Sequence, residues 1–173
     1  MKKDTSNIYL IGMMGSGKSA TGRVLAAMRE AAFVDLDSEI ERIEGRPIAA
    51  IFAQSGEPYF RDVESAVLQE FSGKTGRVFA TGGGIILRPA NVDRMKGTGT
   101  VVLLKASAKT LWQRLQYSKD RPLLNKPDPL GTLTQIFNDR EALYERACHI
   151  AVPTDGKSAE DVAQEIQKMV KSP

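Results

Sequence analysis

The sequence is poor in cysteine and histidine, with one of each among its 173 residues. Cys148 has no second cysteine with which to form an intramolecular disulfide, so nothing points to an oxidising compartment. The helical pattern before Cys148 favours a small buried side chain over a nucleophile. His149 opens an apolar segment, where packing is favoured over chemistry.

Long apolar runs and concentrated charge are also missing. No stretch approaches the ~18 apolar residues that a membrane-spanning helix requires. The first apolar run is cut short by Gly12, Gly15 and Lys18, unlike that of a signal peptide. The net charge is +3, and the basic residues are scattered instead of forming the stripe of a nucleic-acid-binding protein. We therefore expect a cytoplasmic protein that binds neither membrane nor nucleic acid, with a mild positive charge that suits small anionic ligands.

Apolar runs typical of buried strands alternate with segments of helical spacing. Strands are predicted at residues 8–11, 33–36, 78–80, 101–104 and 149–152. Helices are predicted at residues 20–32, 60–71, 109–115, 132–147 and 159–170, with two short helices between residues 40 and 52 that are broken near Gly45 and Pro47. Residues 118–131 contain three prolines and a glycine without an apolar period, which predicts an exposed flap. The alternation predicts one α/β domain over residues 1–173, with a parallel sheet covered on both faces.

A phosphate-binding loop follows the first predicted strand. Residues 12–19 read Gly-Met-Met-Gly-Ser-Gly-Lys-Ser and match the pattern G-x-x-x-x-G-K-[ST]. Small residues let backbone N–H groups surround a phosphate, and the next helix adds its positive N-terminal end. Lys18 can reach the β- and γ-phosphate oxygens, and the Ser19 hydroxyl can ligate Mg²⁺. The residues predicted to bind the nucleotide here are Gly15, Ser16, Gly17, Lys18, Ser19 and Ala20.

A nucleotide site alone does not distinguish a kinase from a GTPase. Residues 125–128 read Asn-Lys-Pro-Asp, which matches a GTPase base-recognition pattern. Arg-Pro-Leu-Leu precedes this segment where a GTPase would have a strand, and the prolines disfavour regular structure. The only Asp-x-x-Gly, residues 128–131, overlaps the segment in the wrong order. The context therefore argues against a GTPase.

Candidate acceptor-binding residues follow the second and third strands. Asp35 and Asp37 end the second strand, where alternation would put both carboxylates on one side. One could hold Mg²⁺ through water while the other orients or deprotonates a hydroxyl, although Asp37 could instead cap a helix. Residues 82–84, three glycines, follow the third strand and let backbone approach a ligand closely. Because parallel sheets bind ligands at this edge, both groups are expected beside the phosphate loop.

Three arginines are further candidates. Arg61 lies on a predicted helix with Glu64 at i+3, which could hold its guanidinium, and Arg140 lies inside another helix. By pattern alone, either arginine could belong to a solvated helix face. Arg121 lies in the predicted flap and could swing over the phosphates as charge develops on the transferred group.

In order and spacing, these motifs resemble those of shikimate kinases over nearly the whole chain. The likeness rests on residues 12–19, 35–37, 45–48, 51–52, 56–64, 82–84, 121–124, and Arg140 with the later residues 144–146. It implies a P-loop fold like that of nucleoside monophosphate kinases, with a five-stranded parallel sheet, a substrate-binding helical segment at about residues 37–64 and a lid at about 118–131. It implies transfer from Mg-ATP to the 3-hydroxyl of shikimate in aromatic amino-acid biosynthesis. We expect a monomer with these two small molecules as its substrates.

The resemblance also implies a role for each candidate residue. Asp37 would bind the ring hydroxyls and act as the base, with Asp35 nearer the magnesium. Arg61 and Arg140 would hold the carboxylate, and Gly83 would contact the substrate through its backbone. Arg121 would be the lid arginine on the phosphates, with Lys18 also catalytic, and Arg114 would stack on adenine. Residues 152–158 depart from the family's pattern, because Val-Pro-Thr-Asp stands where Asp-Thr and a later proline are usual.

Two other functions share parts of this pattern. A gluconate kinase would have the same phosphate loop, but the two arginines and the Asp-x-Asp sequence argue for a different acceptor. A non-catalytic ATP-binding module is disfavoured because Lys18, Ser19, Asp37 and Arg121 are all present. Turnover of ATP with and without an acceptor separates these functions.

Overall fold

A computed structural model describes residues 6–116 and 126–171 of the chain. Its five strands are β1 (Asn7–Ile11), β2 (Ala32–Asp35), β3 (Arg77–Ala80), β4 (Gly99–Lys105) and β5 (Ile150–Pro153). Its helices are α1 (Lys18–Arg29), α2 (Leu36–Glu44), α3 (Ile48–Phe71), α4 (Pro89–Thr98), α5 (Ala108–Leu115), α6 (Pro129–Ala147) and α7 (Ala159–Lys171), with a 3₁₀ turn at Ile85–Leu87.

The strands form one parallel sheet in the order β2-β3-β1-β4-β5. Alternate residues of β1 belong to two cores on opposite faces, because successive side chains of a strand point in opposite directions. Ile8 and Leu10 pack with Leu25 of α1 and Ile166 of α7. The other core contains Tyr9 and Ile11. The predicted α/β fold with a five-stranded parallel sheet is confirmed.

Helix boundaries follow local capping. Asp35 caps α2 by accepting a hydrogen bond from the Ser38 N–H at 3.3 Å, and Ser107 caps α5 by accepting from the Thr110 N–H at 3.2 Å. Helix α1 starts at Lys18, two residues before the predicted start, and ends before Glu30, which adopts a left-handed conformation.

The predicted break near Gly45 and Pro47 is present, because α2 ends at Glu44 and α3 begins at Ile48. Helix α3 runs from Ile48 to Phe71 and is divided by Gly56, whose φ of 82° and ψ of 168° are not helical. The break at this glycine changes the direction of the chain while both halves remain helical. Helix α4 and the 3₁₀ turn before it were not predicted. Pro89 at the first turn of α4 was the available signal, since proline suits that position.

The segment around Cys148 and His149 has a packing role. Cys148 follows α6, packs against the core and donates its thiol hydrogen to the Glu145 carbonyl at 3.4 Å. Burial raises the pKa of this thiol. His149 is exposed and precedes β5, and its Nδ1 accepts a hydrogen bond from the Val101 N–H at 3.0 Å.

The strand ends place the candidate site at one edge of the sheet. The phosphate loop follows β1, Asp35 ends β2 and the three glycines follow β3. Because the strands are parallel, their carboxyl ends meet at this edge. In the part of the chain that the structure describes, no helix is long and apolar enough to cross a membrane.

Two helical glycines should respond oppositely to alanine. A Cβ on Gly22 of α1 would lie 2.6 Å from Cε2 of Phe33 and 3.4 Å from Cδ1 of Leu10, whereas a Cβ on Gly97 of α4 would have no atom within 4 Å. We expect Gly22→Ala to lower the free energy of unfolding by about 1–3 kcal/mol through overpacking. We expect Gly97→Ala to raise it by about 0.5–1 kcal/mol. Urea denaturation measures both, and equal effects of the two substitutions would contradict this account of the packing.

Candidate active site

The phosphate loop has a backbone that side chains would obstruct. Gly12 has φ 144° and Gly15 has φ 80°. A Cβ on Gly12 would lie 2.7 Å from the Leu104 carbonyl oxygen, and one on Gly15 would lie 2.8 Å from Cγ of Leu115. Glycine is therefore required at both positions by conformation and by space.

Two polar side chains of the loop suit an anion. The Lys18 ammonium donates to the carbonyls of Gly12 and Met13 at 2.8 and 2.9 Å, so its charge lies against the loop. The Ser16 hydroxyl is buried and has no hydrogen-bond partner within residues 6–116 and 126–171. A buried hydroxyl without a partner is unfavourable, and a phosphate oxygen would satisfy it. Ala20 lies in the first turn of α1 above the loop.

The predicted metal ligands Ser19 and Asp35 are in contact. The Ser19 hydroxyl donates to Oδ2 of Asp35 at 2.6 Å. Oxygen ligands of this kind fit Mg²⁺, which is commonly held by one or two carboxylates together with substrate phosphates. Among the described residues, no group of three or more His, Cys, Asp and Glu side chains could form an all-protein metal site. The donor set thus fits a magnesium ion that arrives with a nucleotide.

Asp35 and Asp37 belong to different elements. Asp35 ends β2 and is the N-cap of α2, and Asp37 lies in the first helical turn. The prediction that both carboxylates extend from one side of a strand is therefore wrong, and the capping position belongs to Asp35. A Cβ on Gly82 would lie 3.0 Å from Oδ1 of Asp37 and 2.6 Å from Oε1 of Glu64, so two carboxylates meet at this glycine.

Arg61 and Glu64 form a buried ion pair on α3. Nη1 of Arg61 lies 2.8 Å from Oε2 of Glu64, whose side chain is fully buried, and Nη2 lies 3.1 Å from Oε1 of the half-exposed Glu57. Burial raises the pKa of the Glu64 carboxyl, Arg61 opposes this rise and Asp37 adds to it. The predicted contact between Arg61 and Glu64 is present, and it gives the guanidinium a defined orientation.

The glycines after β3 lie between two helices. A Cβ on Gly84 would overlap the guanidinium of Arg61 from α3. On the other side, the Tyr144 hydroxyl of α6 donates to the Gly83 carbonyl. Arg140 is buried one helical turn before Tyr144, and its positive charge acts on the Tyr144 hydroxyl. Burial raises the pKa of Tyr144 to about 12, while Arg140 and Arg61 act in the opposite direction.

Arg114 lies beside the phosphate loop at the other end of the site. Its guanidinium donates to the Gly15 carbonyl at 3.0 Å and to the Thr154 carbonyl at 3.3 Å. Residues 152–158, whose sequence is unusual, include Asp155. Its carboxylate accepts a hydrogen bond from the Ser107 N–H at 3.1 Å, which holds the segment in place. A hydrogen bond from Thr110 and further bonds from Ser107 lower the pKa of Asp155.

The structure therefore brings most of the predicted residues together. The phosphate loop, Asp35, Asp37, Arg61, Gly83 and Arg140 all lie on the elements that meet at this edge. Arg121 and residues 118–125 of the predicted lid lie outside the described residues. The predicted flap extended to residue 131, but α6 already begins at Pro129, after an N-cap at Asp128. The contact of Tyr144 with Gly83 was not predicted. The only signal for it in the sequence was that Tyr144 lies four residues after Arg140.

Comparisons with known proteins identify relatives of this chain. The family model "Shikimate kinase" matches residues 14–171. A shikimate kinase of Thioalkalivibrio sulfidiphilus is 44% identical over 164 residues, which cover 95% of this chain and 86% of that protein. A structure titled as shikimate kinase from Acinetobacter baumannii in complex with shikimate has a TM-score of 0.94 and 38% identity, and the match covers 97% of this chain and 94% of that one.

A likeness to a gluconokinase is weaker. The structure of this protein from Sinorhizobium meliloti has a TM-score of 0.56 and 16% identity over 94% of this chain and 89% of that one. At that identity the match shows a shared fold alone.

The two acidic partners of Arg61 should contribute differently to stability. We expect Glu64→Gln to lower the free energy of unfolding by about 1.5–3 kcal/mol, since it removes the negative charge that pairs with the buried guanidinium and leaves only a neutral acceptor. We expect Glu57→Gln, which changes a half-exposed partner of the same guanidinium, to have an effect of about 0.5 kcal/mol or less. Urea denaturation measures both. An equal loss in the two variants would show that burial does not strengthen the pair.

Proposed function

The chain belongs to the shikimate kinase family, and we propose that it transfers the γ-phosphoryl group of ATP to the 3-hydroxyl of shikimate. The observation that carries this proposal is the position of two buried arginines at the strand ends beside the phosphate loop. Arg61 lies on α3 against Gly84, and Arg140 lies on α6 one turn before Tyr144, whose hydroxyl binds Gly83. A carboxylate is the group that paired guanidinium groups bind best.

On the donor side, the loop would hold the β- and γ-phosphates of ATP. Backbone N–H groups and the Ser16 hydroxyl would face the phosphate oxygens, with Lys18 adding a positive charge. Mg²⁺, held through Ser19 and Asp35, would neutralise charge on the phosphates. Arg114, between the loop and Thr154, would border the base.

On the acceptor side, Asp37 would orient the attacking hydroxyl and accept its proton. Its carboxylate lies in the first turn of α2 beside Gly82, on the same edge as the phosphate loop. Arg61 and Arg140 would anchor the carboxylate, which fixes the distance between the hydroxyl and the γ-phosphorus. Lys18 would meet the charge that develops on the equatorial oxygens, together with Arg121 of the lid. We also propose that the enzyme is a cytoplasmic monomer.

Acceptor-dependent ADP release tests the function. Shikimate, gluconate and water are offered to the protein in parallel with Mg-ATP. We expect release with shikimate only, because gluconate lacks a ring that could present a hydroxyl at a fixed distance from the carboxylate. Release with gluconate alone would retain the kinase and overturn the acceptor. If no acceptor increases release above water, the protein is not a kinase for these compounds.

The role of Asp37 is tested by Asp37→Asn. This variant keeps the size of the side chain and removes its basicity, so we expect kcat to fall by about 10²–10⁴-fold with little change in the KM for ATP. Asp93→Asn, which changes an exposed carboxylate on α4, is the matched control and should keep normal turnover. Near-normal kcat in Asp37→Asn would exclude it as the base.

A further inference from the structure

We propose that Tyr144 is a positioning residue whose hydroxyl fixes the peptide between Gly83 and Gly84 and thereby sets the spacing of the two arginines that hold the acceptor carboxylate. The proposal rests on the function proposed above and adds a residue to it. It starts from one contact, the hydrogen bond that the Tyr144 hydroxyl donates to the Gly83 carbonyl.

The position of the hydroxyl is restricted by the burial of its ring. Tyr144 is 3% exposed and belongs to the main core together with Met13, Leu103 and Ala106, and one side of it lines a cavity next to Phe137. Burial leaves the ring few rotamers, so the phenolic oxygen stays near one place relative to the sheet. The carbonyls of Gly82 and Gly84 accept hydrogen bonds from the N–H groups of Ile85 and Leu87 at 3.2 and 3.0 Å, and the Tyr144 hydroxyl supplies the bond to the Gly83 carbonyl between them.

One hydrogen bond orients both ends of the peptide. The carbonyl of Gly83 and the N–H of Gly84 belong to the same planar unit and point in opposite directions. When Tyr144 binds the carbonyl, the direction of the Gly84 N–H is therefore determined as well. The side of Gly84 where other residues carry a Cβ faces the guanidinium of Arg61. A Cβ there would overlap the guanidinium. The peptide between Gly83 and Gly84 thus limits the positions that the Arg61 guanidinium can occupy.

The same hydroxyl is linked to the second arginine and to the phosphate loop. Arg140 is buried one turn earlier on α6, and its positive charge acts on the Tyr144 hydroxyl. A Cβ on Gly83 would lie 3.6 Å from the Tyr144 oxygen, 3.5 Å from the Met14 nitrogen and 3.7 Å from the Gly12 carbonyl oxygen. The phosphate loop, α6 and the glycines after β3 therefore meet at this residue. Tyr144 therefore binds the glycine that lies next to the phosphate loop, and it shares α6 with Arg140.

The test is Tyr144→Phe, which keeps the ring and removes the hydroxyl. We expect the KM for shikimate to rise about tenfold, the size of effect that losing one buried hydrogen bond produces, while the KM for ATP changes by less than about twofold. The matched control is Tyr9→Phe. Tyr9 is equally buried, and its hydroxyl binds Thr98 at 2.7 Å and Asn7 at 3.2 Å, at the opposite edge of the sheet. This control should lower the melting temperature without changing either KM.

Shikimate methyl ester separates the carboxylate grip from a general defect. The ester is used as a competitive inhibitor against shikimate. It lacks the negative charge that the arginines recognise, so Tyr144→Phe should weaken its binding by less than about twofold. An equal loss for acid and ester, or an unchanged KM for shikimate, would overturn the positioning role while leaving the kinase function in place.

A readout without substrate keeps the proposal testable if shikimate proves not to be the acceptor. In ¹H–¹⁵N spectra of the unliganded protein, we expect the Gly84 amide and the Arg61 Nε–H to shift in Tyr144→Phe and to keep their positions in Tyr9→Phe. Unchanged Gly84 and Arg61 signals in Tyr144→Phe would contradict the proposal whatever the acceptor is. Failure of the wild type to release ADP with shikimate would instead overturn the function alone.

Discussion

The buried ion pair between Arg61 and Glu64 is the constraint on which the acceptor side of this protein depends. Two charges removed from water are tolerated only when each finds its partner at short range, and here the distance is 2.8 Å. Once the guanidinium is held there, the backbone of Gly84 has to pass beside it without a Cβ, and the backbone of Gly82 has to pass beside Glu64 in the same way. The glycines at positions 82 and 84 are the consequence of this packing.

The donor side depends on a different constraint, the close approach of backbone to phosphate. Gly12 and Gly15 leave space for the loop to turn against β4 and α5, and Lys18 folds across it. The two sides meet at Gly83, which lies close to both the loop and Tyr144. A phosphoryl donor and an acceptor have to be held within reach of each other, and one glycine backbone shared by both sites provides a short mechanical connection.

Much of the fold could be predicted because its signals are local. The runs at β1 and β4 are apolar over successive residues, as strands buried on both faces are, and the phosphate loop has a fixed spacing within eight residues. Helix α4 could not be predicted in the same way, because only Asn91 and Met95 of its residues are buried and its apolar period is weak. Gly56 divides α3 at a left-handed φ of 82°, and Pro58 lies two residues later in the first turn of the second half, where proline is tolerated, so local propensity and structure agree there.

The sequence by itself determined the chemistry that this protein carries: a phosphate loop, an acidic pair after β2, three glycines and two arginines on helices, in the order of the shikimate kinase family. It left open whether each arginine faced solvent or a ligand, since helical spacing says nothing about what packs against a helix. The tertiary structure decided that both are buried at one edge of the sheet. It also decided that Asp35 and Asp37 belong to different elements and that Tyr144 contacts Gly83 from 61 residues away. Such contacts depend on how parallel strands and their crossover helices are brought together, which no local pattern encodes.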